Sequence, residues 1–210
     1  DEDEDEHAIV EPRESAEVVI SSPSESLSRL MFIQDLPNQI WIEKTIVRGR
    51  PDRLKGNRAM GKAIWSPQKS KGGGDIYKFM RDVNPEDFII HLTDNERIAG
   101  VSVVKSPRIE HVKGLPNTNW DDTRDCYLHE LEGFKDVEMP FHREMFLTEH
   151  NRVELEEINQ LSQAVFYTKD LELRQGHYLT PCIKKMAHYL NETCLSKTGH
   201  GLPYLTQGNP

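Results

Sequence analysis

Trp65 and Trp120 are the residues of this 210-residue chain best suited to gripping a flat ligand. Each stands in or beside a polar, turn-forming stretch, IWSPQK and NTNWDD. An indole in such a place either packs as a satellite of the core or binds something, and both readings stand. Two indoles facing one another can sandwich a planar base, at roughly 1–3 kcal/mol per stacked base. Methyl groups on the base add apolar area and favour such a slot. Trp41 differs, because it sits in the apolar run Ile40-Trp41-Ile42 and reads most simply as core.

Covalent chemistry has little support. No G-x-S-x-G, Walker A, GxGxxG or H-E-x-x-H motif occurs. The densest group among the nine histidines is His142 and His150 with Glu144 and Glu149; it lacks zincin spacing and reads as a surface helix. Cys126, Cys182 and Cys194 are odd in number, widely spaced and without a CxxC pair, which suits three small thiols in a reducing compartment. Catalysis, a metal and a cofactor are therefore not expected of this chain.

The formal charge of −9 seems at first to exclude a nucleic-acid binder. Its distribution reverses that. Residues 1–33 hold ten acids and two bases, whereas residues 34–210 carry only −1. Within them, residues 44–82 hold eleven bases against three acids, a local balance of +8. Fields decay over roughly 8–10 Å in physiological salt, so the local patch governs attraction to phosphate. Lys44, Arg48, Arg50, Arg53, Lys69 and Lys71 are the candidate phosphate contacts, the bland alternative being a solvated basic surface.

The elements that must position these groups follow from pattern. The Glu-, Ser- and Pro-rich residues 1–33 cannot bury enough apolar surface to offset ordering entropy and read as a disordered acidic tail or linker. Ile40–Ile42 suits a buried strand, and residues 52–63 have weak helical character. Pro67 and Gly72–Gly74 force an irregular loop, and Asp75 is a plausible cap for a helix to about Asp82. Asp87–Leu92 and Ile98–Lys105 read as strands joined through Thr93-Asp94-Asn95-Glu96-Arg97. Residues 106–121 read as a polar loop, 124–132 as a strand and 152–166 as a helix. Thr180-Pro181 reads as the start of another helix. The expected product is one α+β domain over 38–195, with 196–210 as an extension. No apolar run approaches the roughly 20 residues that cross a bilayer. The opening DEDEDE is unlike a secretory leader, so a cytoplasmic location is expected.

In this order the segments IWSPQKSKGGGDIYKFM, VNPEDFIIHLTDNERIAGVSVVKSP, NWDDTRDCYLHELE, VEMPFHREMF and FYTKDLELRQGHYLTPCIKKMAHYL resemble the EVE and YTH branch of PUA-like domains. The likeness spans about residues 38–193 and is nearest to the EVE-like domains of McrBC-type modification-dependent restriction proteins. It implies a small twisted β-barrel flanked by helices, with an aromatic pocket for one modified base. Trp65 then matches the first cage tryptophan of YTH readers and Trp120 the second. Ser66 lies where a backbone carbonyl meets the exocyclic amine of the base. Asp121 or Asp122 supplies a polar contact, and Thr45 and Trp41 complete the implied pocket. The chain departs from YTH readers at Glu43-Lys44-Thr45, where they carry a Ser-Asn segment, which leaves the identity of the base open. The resemblance implies a non-catalytic reader that flips a modified base out of nucleic acid, DNA before RNA. It places any nuclease or NTPase in a fused or associated partner. The alternatives are an RNA-binding reader of the same fold and a small enzyme or toxin using the histidines.

Overall fold

Strand β1, Ile40–Thr45, lies between two neighbours, which is why nearly every residue of it is buried. It runs parallel to β3, Phe88–Thr93, and antiparallel to β7, Leu179–Pro181. The computed structural model describes residues 21–114 and 124–207. Strand β3 turns into β4, Arg97–Val104, through Asp94 and Asn95 at φ +54° and +55°, the left-handed pair that twisted hairpins favour. Strand β6, Asp125–His142, is 18 residues long and serves two sets of partners. Its first part pairs with β2, Ala63–Pro67, and β5, Ile109–Lys113; from Leu131 onward it pairs with β4.

The strand order is β2-β6-β4-β3-β1-β7, with β5 beside β6. Sheet twist curls this order into a half-barrel. Its two ends meet through a side chain: the Tyr178 hydroxyl, next to β7, accepts from the Trp65 amide of β2 at 3.1 Å. Alternation along β1 sends Ile40 and Ile42 to one face and Trp41 to the other. The larger core joins Ile42, Ile90, Leu92, Phe141 and Phe146 to Leu155 and Ile158 of helix α4, Arg152–Leu161, and to Met186 and Leu190 of α5, Lys184–Thr198. The smaller core holds Trp41, Ile64, Phe79, Met80, Ile89 and Tyr127. The fold is thus the expected α+β type, a small curled half-barrel flanked by helices.

Several elements differ from the sequence reading. Helix α1, Pro23–Asp35, occupies part of the stretch counted with the acidic tail. Ser22 and Glu25 form a capping box, Ile33 is fully buried, and Arg29 makes a two-point ion pair with Glu192 of α5. Residues 1–20 lie outside the described set. At the other end, Leu202 and Leu205 are buried, and Asn191 Oδ1 accepts from the Leu202 amide and the Thr206 hydroxyl, both at 2.8 Å. Ordered packing therefore extends past residue 195. Asp75 caps no helix, because its carboxylate pairs with Arg81; only the 3-10 turn Lys78–Arg81 follows. Thr180 pairs with Ile42 instead of opening a helix, and helix α4 stops at Leu161. Among the described residues no helix is long and apolar enough to cross a membrane.

Candidate functional site

A cavity of about 170 Å³ opens along the seam where β2 approaches β1 and β7. Trp65, Ser66 and Pro67 of β2 form one wall. Lys44, Thr45 and Ile46 at the end of β1 form another, with Arg50 and Arg53 beyond them. Tyr77 and Tyr178 close it, their rings edge-to-face with centroids 6.5 Å apart. Pockets for drug-sized ligands are roughly 300–1,000 Å³. This one is smaller, with three aromatic side chains around it, which suits a single flat ring system.

The seam holds its shape through a buried polar network. Glu43 of β1 is fully buried. Its Oε1 accepts from the Arg53 guanidinium and from the Tyr178 hydroxyl, the latter at 2.6 Å. Its Oε2 accepts from His91 Nδ1 at 2.6 Å, and His91 Nε2 meets Ser102 Oγ at 2.7 Å. Arg53 Nη1 also donates to the carbonyls of Arg58 and Ala63, at 2.6 and 3.0 Å. Burial alone would push the Glu43 carboxyl up, but Arg53, His91 and Tyr178 together hold it below its ordinary value. Burial, and then the Glu43 charge, raise the Tyr178 phenol well above its ordinary value, so it stays a donor. Tyr178 and Arg53 thereby satisfy the Trp65 amide and the Ala63 carbonyl, groups that a closed barrel would pair with a neighbouring strand.

Trp65 combines both readings of its indole. It is 5% exposed and packs with Ala63, Cys126 and Leu128, yet it also faces the cavity. The Arg58 guanidinium lies 4.9 Å from its ring centroid; Arg58 does not line the cavity and so backs the indole from outside it. Ser66 and Thr45 reach the same cavity, whereas Trp41 does not. Trp41 belongs to the smaller core, and its Nε1 donates to Asp87 at 3.0 Å, which corrects its assignment to the base pocket. Trp120, Asp121 and Asp122 lie outside the described residues.

The candidate phosphate contacts divide. Arg53 is 2% exposed and engaged with Glu43, so its assignment to phosphate is corrected: it is a structural cation. Arg50 pairs with Asp52 at 2.6 Å and Arg48 with Glu96 at 3.1 Å. Lys44 Nζ donates to the Arg174 carbonyl, and burial lowers its pKa. Lys69 and Lys71 lie on the far side of Pro67, in a separate cleft. Sequence reasoning missed Tyr77, Tyr178, Arg58 and the role of Glu43. The only signal for Tyr178 was its place in QGHY, and nothing local marked Tyr77. Among the described residues no group of three or more His, Cys, Asp or Glu side chains is placed to hold a metal.

No family model and no curated protein matches this chain. Solved structures similar to it include the N-terminal domain of McrB from Staphylothermus marinus, at 14% identity over 69% of this chain and 88% of that one, TM-score 0.39. Human THYN1, in complex with 5-methylcytosine containing DNA, is 11% identical over 76% of this chain and 98% of that one, TM-score 0.46. A protein from Pseudomonas putida is 12% identical over 74% and 99%, TM-score 0.45.

Proposed function

We propose that this chain is a non-catalytic reader that takes one modified base of nucleic acid, DNA in preference to RNA, into the seam cavity. The observation that carries this reading is the cavity itself: about 170 Å³, bordered by Trp65, Tyr77 and Tyr178, with Lys44, Arg50 and Arg53 also in its lining. Aromatic walls favour a planar ring, and every base offers a π-face. The cavity admits one ring system and no continuous stack, so the base must leave its neighbours. Unpairing costs a few kcal/mol, which stacking and phosphate contacts offset. Glu43 is buried beside the cavity and bonded to Arg53, Tyr178 and His91, so in this reading it holds the walls. The preference for DNA, and a role as the specificity domain of a modification-dependent restriction system whose nuclease or NTPase lies elsewhere, rest on the sequence resemblance.

The test is binding of matched duplexes that differ only in the modification, with 5-methylcytosine and N6-methyladenine as the first probes and RNA of the same sequence as a further arm. Wild type binds one modified duplex at least tenfold more tightly than its unmodified counterpart, roughly 1.4 kcal/mol. Tyr77→Ala, at a half-buried wall, and Trp65→Leu, which keeps an apolar filling, remove that discrimination. Equal binding of every probe by the wild type would overturn the reading, and tighter binding to RNA would move it to RNA.

A further inference from the structure

Beyond Pro67 the chain forms a second concavity, of about 380 Å³, lined by Gln68, Lys69, Ser70, Lys71, Gly73, Arg124 and Asp125. Pro67 borders both this cleft and the aromatic cavity, so the two adjoin across one residue. The cleft is built by the backbone. The Gln68 amide donates to the Asp125 carbonyl at 3.0 Å, fixing the loop to the start of β6. The Ser70 amide donates to the Gly74 carbonyl and the Gly73 amide to the Ser70 carbonyl, both at 2.9 Å; Ser70 Oγ accepts from the Gly74 amide at 2.9 Å. Gly73 sits at φ +84°, and a Cβ there would meet nothing within 4 Å, so the loop is bare on that side.

Three cations line this cleft against one acid. Lys69 is exposed and Arg124 half-exposed. The acid, Asp125, has its Oδ2 3.4 Å from His111 Nδ1. Asp75, the next acid along the loop, is held by Arg81, which with Lys78 and Lys69 lowers its pKa. A positive, polar cleft around an open glycine loop is the chemistry of an oxyanion site. Its position one residue from a base-sized cavity specifies which oxyanion.

We propose that the Gln68–Gly73 cleft is a phosphodiester site, in which Lys69, Lys71 and Arg124 hold the backbone phosphate next to the base in the seam cavity. This rests on the reading of that cavity as a base pocket. It makes the strand path asymmetric: the backbone leaves the captured base over Pro67 toward the glycine loop, and not along Arg48 and Arg50. A phosphate contact is indifferent to modification, so the cleft contributes affinity and the cavity contributes discrimination.

The experiment compares the full chain with Lys69→Gln/Lys71→Gln/Arg124→Gln on a modified and an unmodified duplex across a salt series, with Lys55→Gln/Lys62→Gln as a control from the same basic segment. The triple variant is expected to lose about tenfold or more in affinity for both probes, with their ratio and the melting temperature unchanged. Its slope of log K against log salt becomes shallower by about 0.9, the value for the one phosphate that the variant no longer neutralises. The control keeps the wild-type slope. Unchanged affinity and slope in the triple variant would overturn the cleft while leaving the base pocket standing. Loss of affinity and slope without any wild-type discrimination would keep the cleft as a phosphate site and overturn the base pocket. A control that loses as much as the triple variant would also overturn the cleft, because attraction would then be spread over the whole basic face.

Discussion

The segments before and after β2 are both rich in cations, but they place their charge differently. Before it, Arg48, Arg50 and Arg53 pair with Glu96, Asp52 and Glu43, and Lys44 donates to a backbone carbonyl. After it, Lys69 and Lys71 line an open cleft with Arg124. In the first group Arg53 closes the seam, Lys44 and Arg50 line the cavity and Arg48 stays at the surface; the second group lines the cleft beside that cavity. A run of basic residues therefore overstates the charge offered to a phosphate whenever the fold supplies acids from distant strands. Arginine's planar fork suits the internal role, because one side chain can bridge a carboxylate and two carbonyls as Arg53 does.

The contrast can be broken experimentally, most severely at Arg53. Arg53→Met leaves the Glu43 carboxylate buried without its main partner and is expected to cost about 3–5 kcal/mol in denaturant unfolding. A loss below about 1 kcal/mol would show that the Arg53–Glu43 pair does not hold the seam. Next in size is the tenfold or greater fall in affinity of the cleft variant, at unchanged stability. A smaller effect is read in acid. The folded-state pKa of Glu43 is lowered, so its contribution is complete above its unfolded value of about 4.3 and is lost as pH falls through the folded value. The stability gap between wild type and Glu43→Gln should therefore narrow below about pH 4 in acid titrations followed by fluorescence; a constant gap would show that Glu43 is not the titrating group. The smallest effect is at Arg48, whose pair with Glu96 is exposed on both sides. Arg48→Ala should change affinity less than twofold and leave the salt slope alone, and a loss matching that of Lys69→Gln would erase the difference between the flanks.

The sequence made the β1 core run, the β3–β4 hairpin and the opening of β6 legible, because apolar runs and an Asp-Asn turn act locally. It did not reveal β7. Thr180-Pro181 carries a sound helix-start signal, which pairing with Ile42 from the other end of the chain overrides. The far half of β6 escaped notice because Gly133 and Pro140 break its pattern, while β4 holds it in place. Trp65 was singled out by its loop context, and Ser66 and Thr45 by the family resemblance. Tyr77, Tyr178 and Glu43 were not singled out, since Glu43 meets Tyr178 only across 135 positions of chain and Tyr77 takes its place against that same Tyr178. The same distance explains why Glu43 looked like a departure from a recognition segment when it is the buried centre of the seam.

The amide of Trp65 gives that seam a clock of its own. Its hydrogen bond goes to a phenol from the far edge of the sheet, whereas its neighbours on β2 are held in a ladder with β6. Its exchange with solvent deuterium thus follows each parting of Tyr178 from β2 and needs no unfolding of the sheet. A ligand seated between Trp65 and Tyr178 slows that one proton more than those around it, so a single amide records both the breathing of the half-barrel and the occupancy of its cavity.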